Sequence, residues 1–199
     1  MLGAGLDSRS IRMADILHNI KIYEFDLKGM FNHKKKVLKS NKALKINSNV
    51  TYVPINFHND SLNETFHNIK LKLNIPTFVL WEGVAYFLEE KTVYSTFENL
   101  SNYFTNTLNI VFDYAYKDYI DGNLDYYGAS ELAKELKMIG EPHLFGINPK
   151  GMEKYLFKLE FKIMENSTAE DLESQFLVEN DNLISKIHGF HGIVYCEKN

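Results

Sequence analysis

Short apolar runs that alternate with longer amphipathic segments constrain the fold of this chain more than any other feature. Most of the runs are apolar at nearly every position, which is typical of strands buried on both faces of a parallel sheet. These strand-like runs span residues 21–26, 50–55, 77–81, 108–114, 158–164 and 192–196. The segments between them place apolar residues at helical spacing and predict helices at residues 8–17, 30–43, 61–71, 90–104 and 129–136.

The alternation of strand and helix predicts an α/β fold with a largely parallel sheet. No stretch with the composition of a linker divides the chain, so residues 1–199 are expected to form a single domain. The last third is less regular. Residues 118–122 are predicted to be a loop, and residues 140–149, which contain two prolines and two glycines, a turn-rich connection that covers a pocket.

The composition excludes several classes of protein. A hydrophobic content of 45% excludes a disordered chain, and a net charge of -4 gives no basic excess for binding a nucleic-acid backbone. The single cysteine, Cys196, excludes a disulfide framework and a zinc site built from cysteines, and no other metal-ligand spacing stands out. No apolar run has the length of a membrane span, and no secretory signal is recognisable, so a cytoplasmic protein is expected.

A glycine turn at the start of the chain is the strongest functional signal. Gly3, Ala4 and Gly5 form a G-x-G turn before a predicted helix, where the backbone can approach a ligand without a clash from a Cβ atom. Asp26 lies 21 residues after Gly5, at the end of the next strand. An acid at this position can accept both hydroxyls of a ribose. The combination predicts a nucleotide-like ligand.

The charges near this turn discriminate between candidate ligands. A dinucleotide fingerprint needs a third glycine where this chain has Ser8, and Asp7 places an anion where a pyrophosphate would lie. A nicotinamide-binding oxidoreductase remains an alternative. S-adenosylmethionine, which carries a positive sulfonium and ammonium and no phosphate, fits better beside Asp7, Asp26 and Glu82. Arg9 either ties down the acids of the loop or is a charge on a helix surface.

Five motifs, in order along nearly the whole chain, resemble the leucine carboxyl methyltransferase superfamily. They are LGAGLDSR (2–9), YEFDL (23–27), YVPINF (52–57), WEGVAYFL (81–88) and GEPHLFGI (140–147). The resemblance is to a branch of S-adenosylmethionine-dependent methyltransferases that includes polyketide O-methyltransferase-like members. It implies a class I methyltransferase fold, which is Rossmann-like, with an antiparallel C-terminal end to the sheet. It also implies O-methylation of a carboxylate or hydroxyl of a small molecule.

The resemblance also assigns roles to individual residues. It implies that Gly3, Ala4 and Gly5 line the methionine portion and sulfonium of the cofactor, and that Asp26 holds the ribose. The residues Asn56 and Phe57 take the place of an Asp-Leu pair that flanks the adenine, and Glu82 is expected at the amino-acid end of the cofactor. No catalytic residue is assigned: a carboxylate acceptor needs no base, and His143 is a candidate base for a hydroxyl acceptor.

The first strand is the main departure from the family pattern. Family members extend upstream of the glycine turn, whereas here that strand is reduced to Met1 and Leu2, which we expect to lie between the strands ending at Asp26 and Trp81. We therefore expect an N-terminally incomplete methyltransferase domain that is less stable than an extended form and binds the cofactor more poorly. A truncated, catalytically inactive methyltransferase-like protein is the second alternative.

Overall fold

The central sheet is largely parallel, with one reversed strand next to its C-terminal edge. The computed structural model describes residues 1–40 and 49–198. The main strands are β1 (Ile22–Asp26), β2 (Val50–Pro54), β3 (Thr77–Trp81), β4 (Leu108–Ala115), β5 (Phe161–Thr168) and β8 (His191–Lys198). β1 is parallel to β2 and β3 is parallel to β4, whereas β8 is antiparallel to both β4 and β5. This arrangement confirms the predicted α/β fold with its antiparallel C-terminal end.

The first residues of the chain join the two parallel pairs. The backbone N–H of Leu2 donates to the carbonyl of Leu80 in β3, at 2.8 Å. On the other side, Leu2 forms a parallel bridge with Phe25 in β1, and the N–H of Phe25 donates to the carbonyl of Met1 at 2.9 Å. The glycine turn therefore starts at the centre of the sheet, between β1 and β3, where the sequence predicted it.

Helices connect the strands, and two of them begin with a side-chain cap. They are α1 (Arg9–Arg12), α2 (Lys28–Ser40), α3 (Leu62–Asn68), α4 (Glu90–Tyr103), α5 (Lys117–Ile120), α6 (Ala129–Ile139), α7 (Met152–Lys158) and α8 (Ala169–Phe176). The Ser61 side chain accepts from the Glu64 N–H at the start of α3, and Thr168 and Asp171 form a capping box at the start of α8. The short strands β6 (Val178–Glu179) and β7 (Asn182–Leu183) form a hairpin. No helix in the described ranges combines the length and apolarity needed to cross a bilayer.

Aromatic side chains fill the core between the sheet and α4. Phe97 of α4 lies edge-on to Trp81, Phe112 and Phe161, with ring centroids 5.6, 5.1 and 5.5 Å away. All four residues are almost completely buried. Because they come from α4, β3, β4 and β5, this cluster fixes the helix on the sheet and aligns the strand ends that carry the candidate site.

Several predicted elements differ from those observed. The strand predicted at 158–164 is wrong in its first half: Lys158 ends α7, and Glu160 has φ 65°, so β5 begins at Phe161. The loop predicted at 118–122 begins within α5. The helix predicted at 8–17 is shorter, because α1 gives way to turns after Arg12. Residues 41–43 of the helix predicted at 30–43 lie outside the described residues.

Candidate functional site

The glycine turn is held tightly against the end of β1. The N–H of Gly5 donates to Asp26 Oδ2 at 2.6 Å, and the N–H of Leu27 donates to Asp26 Oδ1 at the same distance. Gly3 adopts φ 67°, and a Cβ atom there would lie 2.2 Å from Val84 Cγ2. Gly5 has φ 48°, and a Cβ atom there would have nothing closer than the Gly3 carbonyl at 4.0 Å. The turn thus needs glycine at both positions, and Gly5 borders open space.

Arg9 connects the acids around the turn. Its Nε donates to Asp7 Oδ2 at 2.7 Å, and its Nη2 pairs with Glu82, which directly follows β3. Burial opposes the ionisation of Asp7, but the hydrogen bonds from Arg9 outweigh this effect and hold the pKa of Asp7 below its usual value. Of the two interpretations of Arg9, the structure shows the first: it ties down the acids of the loop.

The other residues expected at the cofactor lie around the same edge. Ala4 is buried beneath the turn, and its N–H donates to the carbonyl of Phe25 at 3.1 Å. Asn56 and Phe57 follow β2; the N–H of Asn56 donates to Asp60 Oδ2 at 2.8 Å, and Phe57 packs against the core. All of these residues follow parallel strands of one sheet. The structure therefore brings them to the carboxyl edge, where open α/β sheets bind their ligands.

Asp113 of β4 also lies at this edge, although the sequence analysis did not single it out. Its carboxylate oxygens accept from the N–H of Gly83 at 2.9 and 3.0 Å, and Tyr86 Oη lies 3.4 Å from Oδ2. Burial, reinforced by the nearby Glu82 carboxylate, raises the pKa of Asp113 to about 6. The signal available in the sequence was an acid near the end of the apolar run at residues 108–114, where strand alternation places Asp113 on the face opposite Phe112.

Histidines and aromatic rings border this part of the edge. His143, the candidate base, lies in contact with the ring of Tyr86, with centroids 4.4 Å apart. His191, at the start of β8, stacks on Tyr86 with ring centroids 5.2 Å apart and lies 5.7 Å from His143. Burial lowers the pKa of His143 to about 4 and that of His191 to about 3. No group of three or more His, Cys, Asp or Glu residues in the described part of the chain is arranged to hold a metal ion.

The donor set at this edge fits a cationic nucleoside better than a phosphate ester. Asp7, Asp26, Glu82 and Asp113 contribute four carboxyl groups, and Arg9 pairs with two of them. Each oxygen of Asp26 accepts one backbone N–H and keeps a lone pair for a further donor. The open space beside Gly5 is next to these oxygens. The edge can therefore hold a ligand that carries vicinal hydroxyls and positive charge.

Comparison with known proteins points to one class. The family described as leucine carboxyl methyltransferase matches residues 1–101. The chain is 26% identical over 201 residues to a Bacillus subtilis protein named "Putative S-adenosyl-L-methionine-dependent methyltransferase YktD"; the match covers 97% of this chain and 64% of that protein. The chain thus spans less than two thirds of the length of this curated relative.

Solved structures show the same fold at low sequence identity. The magnesium protoporphyrin IX methyltransferase ChlM from Synechocystis PCC 6803, solved with bound SAH, is 12% identical with a TM-score of 0.56; the match covers all of this chain and 72% of that one. The glycopeptide N-methyltransferase MtfA is 10% identical with a TM-score of 0.58, covering all of this chain and 87% of that one. These similarities concern the fold of the chain.

Proposed function

Because this chain belongs to the leucine carboxyl methyltransferase family, we propose that it is an S-adenosylmethionine-dependent methyltransferase that methylates an oxygen of a small molecule. The observation that carries the proposal is the link between the glycine turn and Asp26, at 2.6 Å, beside a row of acids at the carboxyl edge of the sheet. When bound, S-adenosylmethionine would supply an electrophilic methyl group on a positively charged sulfur.

The residues of the turn and of β1 would hold the nucleoside. Asp26 would accept the ribose hydroxyls with the lone pairs that Gly5 and Leu27 leave available. Asn56 and Phe57 would flank the adenine, where the amide of Asn56 offers both a donor and an acceptor. Gly3, Ala4 and Gly5 would line the methionine portion. In this arrangement the protein contributes mainly position and electrostatic stabilisation of the cation.

Glu82 would face the amino-acid end of the cofactor. Its carboxylate follows β3 and is paired with Arg9, which is itself bonded to Asp7. This bridge fixes Glu82 relative to the turn and leaves the local charge negative. A positively charged ammonium or sulfonium is stabilised there, whereas a pyrophosphate would be repelled. The acids therefore favour S-adenosylmethionine over a nicotinamide dinucleotide.

Calorimetric titration with S-adenosylhomocysteine tests this proposal at Asp26. We expect Asp26→Asn to weaken binding by about 1–3 kcal/mol, because the ribose hydroxyls would lose charged acceptors. Asp15→Asn is the matched control, since Asp15 is an exposed acid outside the carboxyl edge. Equal affinities for the wild type, the variant and the control would refute the assignment of the ribose site.

A further inference from the structure

Two adjoining cavities lie on the face of the sheet opposite α4. The first, of about 220 Å³, is at the carboxyl end of β4 and has Asp113 in its wall. The second, of about 450 Å³, lies further down the same face and is lined by Phe78 and Val111. Leu172 of α8 and Ile193 of β8 line both cavities, so the two meet at these side chains. Together they form one groove between α8 and the sheet, here called the α8 groove.

The strand register gives the length and direction of the α8 groove. Val111 precedes Asp113 by two residues on β4, so both side chains lie on the same face of the sheet. Phe78 of β3 pairs with Asn109, which is four residues before Asp113. Because four residues of strand span about 13 Å, the groove extends that distance down the sheet. It starts at the carboxyl edge, where Asp113 accepts from the Gly83 N–H.

The second cavity offers few free hydrogen-bonding groups. The backbone of β4 pairs with β3 on one side and with β8 on the other. Tyr195 Oη donates to Asn109 Oδ1 at 2.8 Å, and Ser167 Oγ donates to Glu165 Oε1 at 3.1 Å. No lysine or arginine occurs among the lining residues that the structure describes. A polar or anionic occupant would lose its water there without gaining new bonds, whereas burial stabilises an apolar one.

The polarity of the α8 groove changes along its length. Asp113, His188 and His191 line the first cavity, next to the edge proposed to hold the methyl donor. Phe78 and Phe176 line the second cavity and are 58% and 67% exposed. Exposed apolar side chains that share one cavity are typical of a binding site. The groove therefore fits an amphiphile, with its polar end at the carboxyl edge and an extended apolar tail along the sheet.

We propose that the α8 groove holds the apolar tail of the methyl acceptor, and that this acceptor is an amphiphile with a linear hydrocarbon chain. The oxygen to be methylated would lie at the Asp113 end, beside the proposed donor site. Leu172 and Ile193 would contact the middle of the tail, and Phe78 and Phe176 would cover its end. The proposal rests on the proposed methyltransferase function and narrows its substrate class.

A series of linear alcohols tests the groove by chain length. Butanol, hexanol, octanol and decanol are titrated into protein labelled with ¹³C at the methyl groups of isoleucine, leucine and valine. We expect saturable shifts of the Ile193, Leu172 and Val111 methyl signals. The affinity should rise about two- to fourfold for each added CH₂ group, because each one buries more apolar surface in the groove. An affinity independent of chain length, or methyl shifts that do not saturate, would overturn the proposal.

Phe78→Ser and Phe176→Ser place the end of the tail. Both side chains are exposed, so the variants are expected to fold. Octanol and decanol should bind about three- to tenfold more weakly to each variant, whereas butanol should bind as it does to the wild type. Phe157→Ser is the matched control, since this α7 residue is 75% exposed and is not among the lining residues of either cavity. Variants that bind decanol as tightly as the control does would refute the placement of the tail.

Two further measurements exclude other outcomes. Sedimentation velocity tests for a second copy of the chain on this face: a dimer that Phe78→Ser dissociates and Phe157→Ser does not would overturn the tail site. A titration with S-adenosylhomocysteine keeps the two proposals apart. Its binding together with a failed alcohol series refutes only the tail site. The absence of its binding refutes the methyltransferase function, and with it the acceptor role of the groove, even where the alcohols bind.

Discussion

Replacing Lys34 with methionine is expected to lower the free energy of unfolding by about 3–5 kcal/mol, because it leaves the Glu24 carboxylate buried without a counter-charge. Lys34 Nζ lies 2.5 Å from Glu24 Oε2, and the two side chains are 3% and 0% exposed. Ser10 Oγ donates to the other carboxylate oxygen at 2.6 Å. These contacts join α1, β1 and α2 directly beneath Asp26, so the pair supports the strand that carries the proposed ribose acceptor.

Urea unfolding followed by circular dichroism measures this loss. Lys91→Met is the control: its ion pair with Glu89 is exposed at 82% and 58%, and no measurable change is expected. Adding Glu24→Gln to Lys34→Met should recover most of the loss, because glutamine is uncharged and still accepts from Ser10. A Lys34→Met variant as stable as the control, or a double variant no better than the single one, would refute the reasoning.

Three further predictions concern close packing and charge at the site. Gly3→Ala should lower the free energy of unfolding by about 2 kcal/mol or more and weaken S-adenosylhomocysteine binding. Adding Val84→Ala should recover only part of the lost stability in thermal unfolding, because it removes the clash with the new Cβ atom but not the strain of φ 67°. Gly192→Ala should cost about 1–3 kcal/mol in urea unfolding, because the new Cβ would lie 2.7 Å from Tyr114 Cζ; wild-type stability would contradict this. Burial raises the pKa of Asp113 from 3.8 to about 6, so the folded state binds the proton of this carboxyl more tightly than the unfolded state does. The free energy of unfolding of the wild type should therefore fall, relative to that of Asp113→Asn, as pH rises from 3.8 to 6. A difference between the two proteins that stays constant over this range would contradict the pKa shift.

The sequence was a good guide to the parallel strands because each is a short apolar run, although the expected burial on both faces is wrong for β3, where Phe78 is exposed. The strand predicted at 77–81 matches β3 at both ends, and the prediction at 108–114 falls one residue short of β4. It was a poor guide near Glu160, where one residue with positive φ separates α7 from β5 within a single apolar stretch. A backbone conformation of this kind leaves no mark in hydrophobic periodicity.

The candidate site likewise contains residues that the sequence indicates and residues that it does not. Gly5 and Asp26 were recognisable because a fixed spacing and a strand end bring them together, and the structure joins them by a hydrogen bond. Asp113 and His191 were not, because they meet only through the antiparallel register of β4 and β8, which pairs Ala115 with His191. That register depends on side chains far apart along the chain. The roles of these four residues in ligand binding stay predictions until binding is measured.

Calorimetric titration of the wild-type protein with S-adenosylhomocysteine and, in a separate experiment, with NAD shows whether the carboxyl edge of the sheet binds S-adenosylmethionine. We expect saturable 1:1 binding of S-adenosylhomocysteine and no heat of binding for NAD, because the acids beside the glycine turn repel a pyrophosphate. Binding of NAD in preference to S-adenosylhomocysteine, or binding of neither, would contradict it.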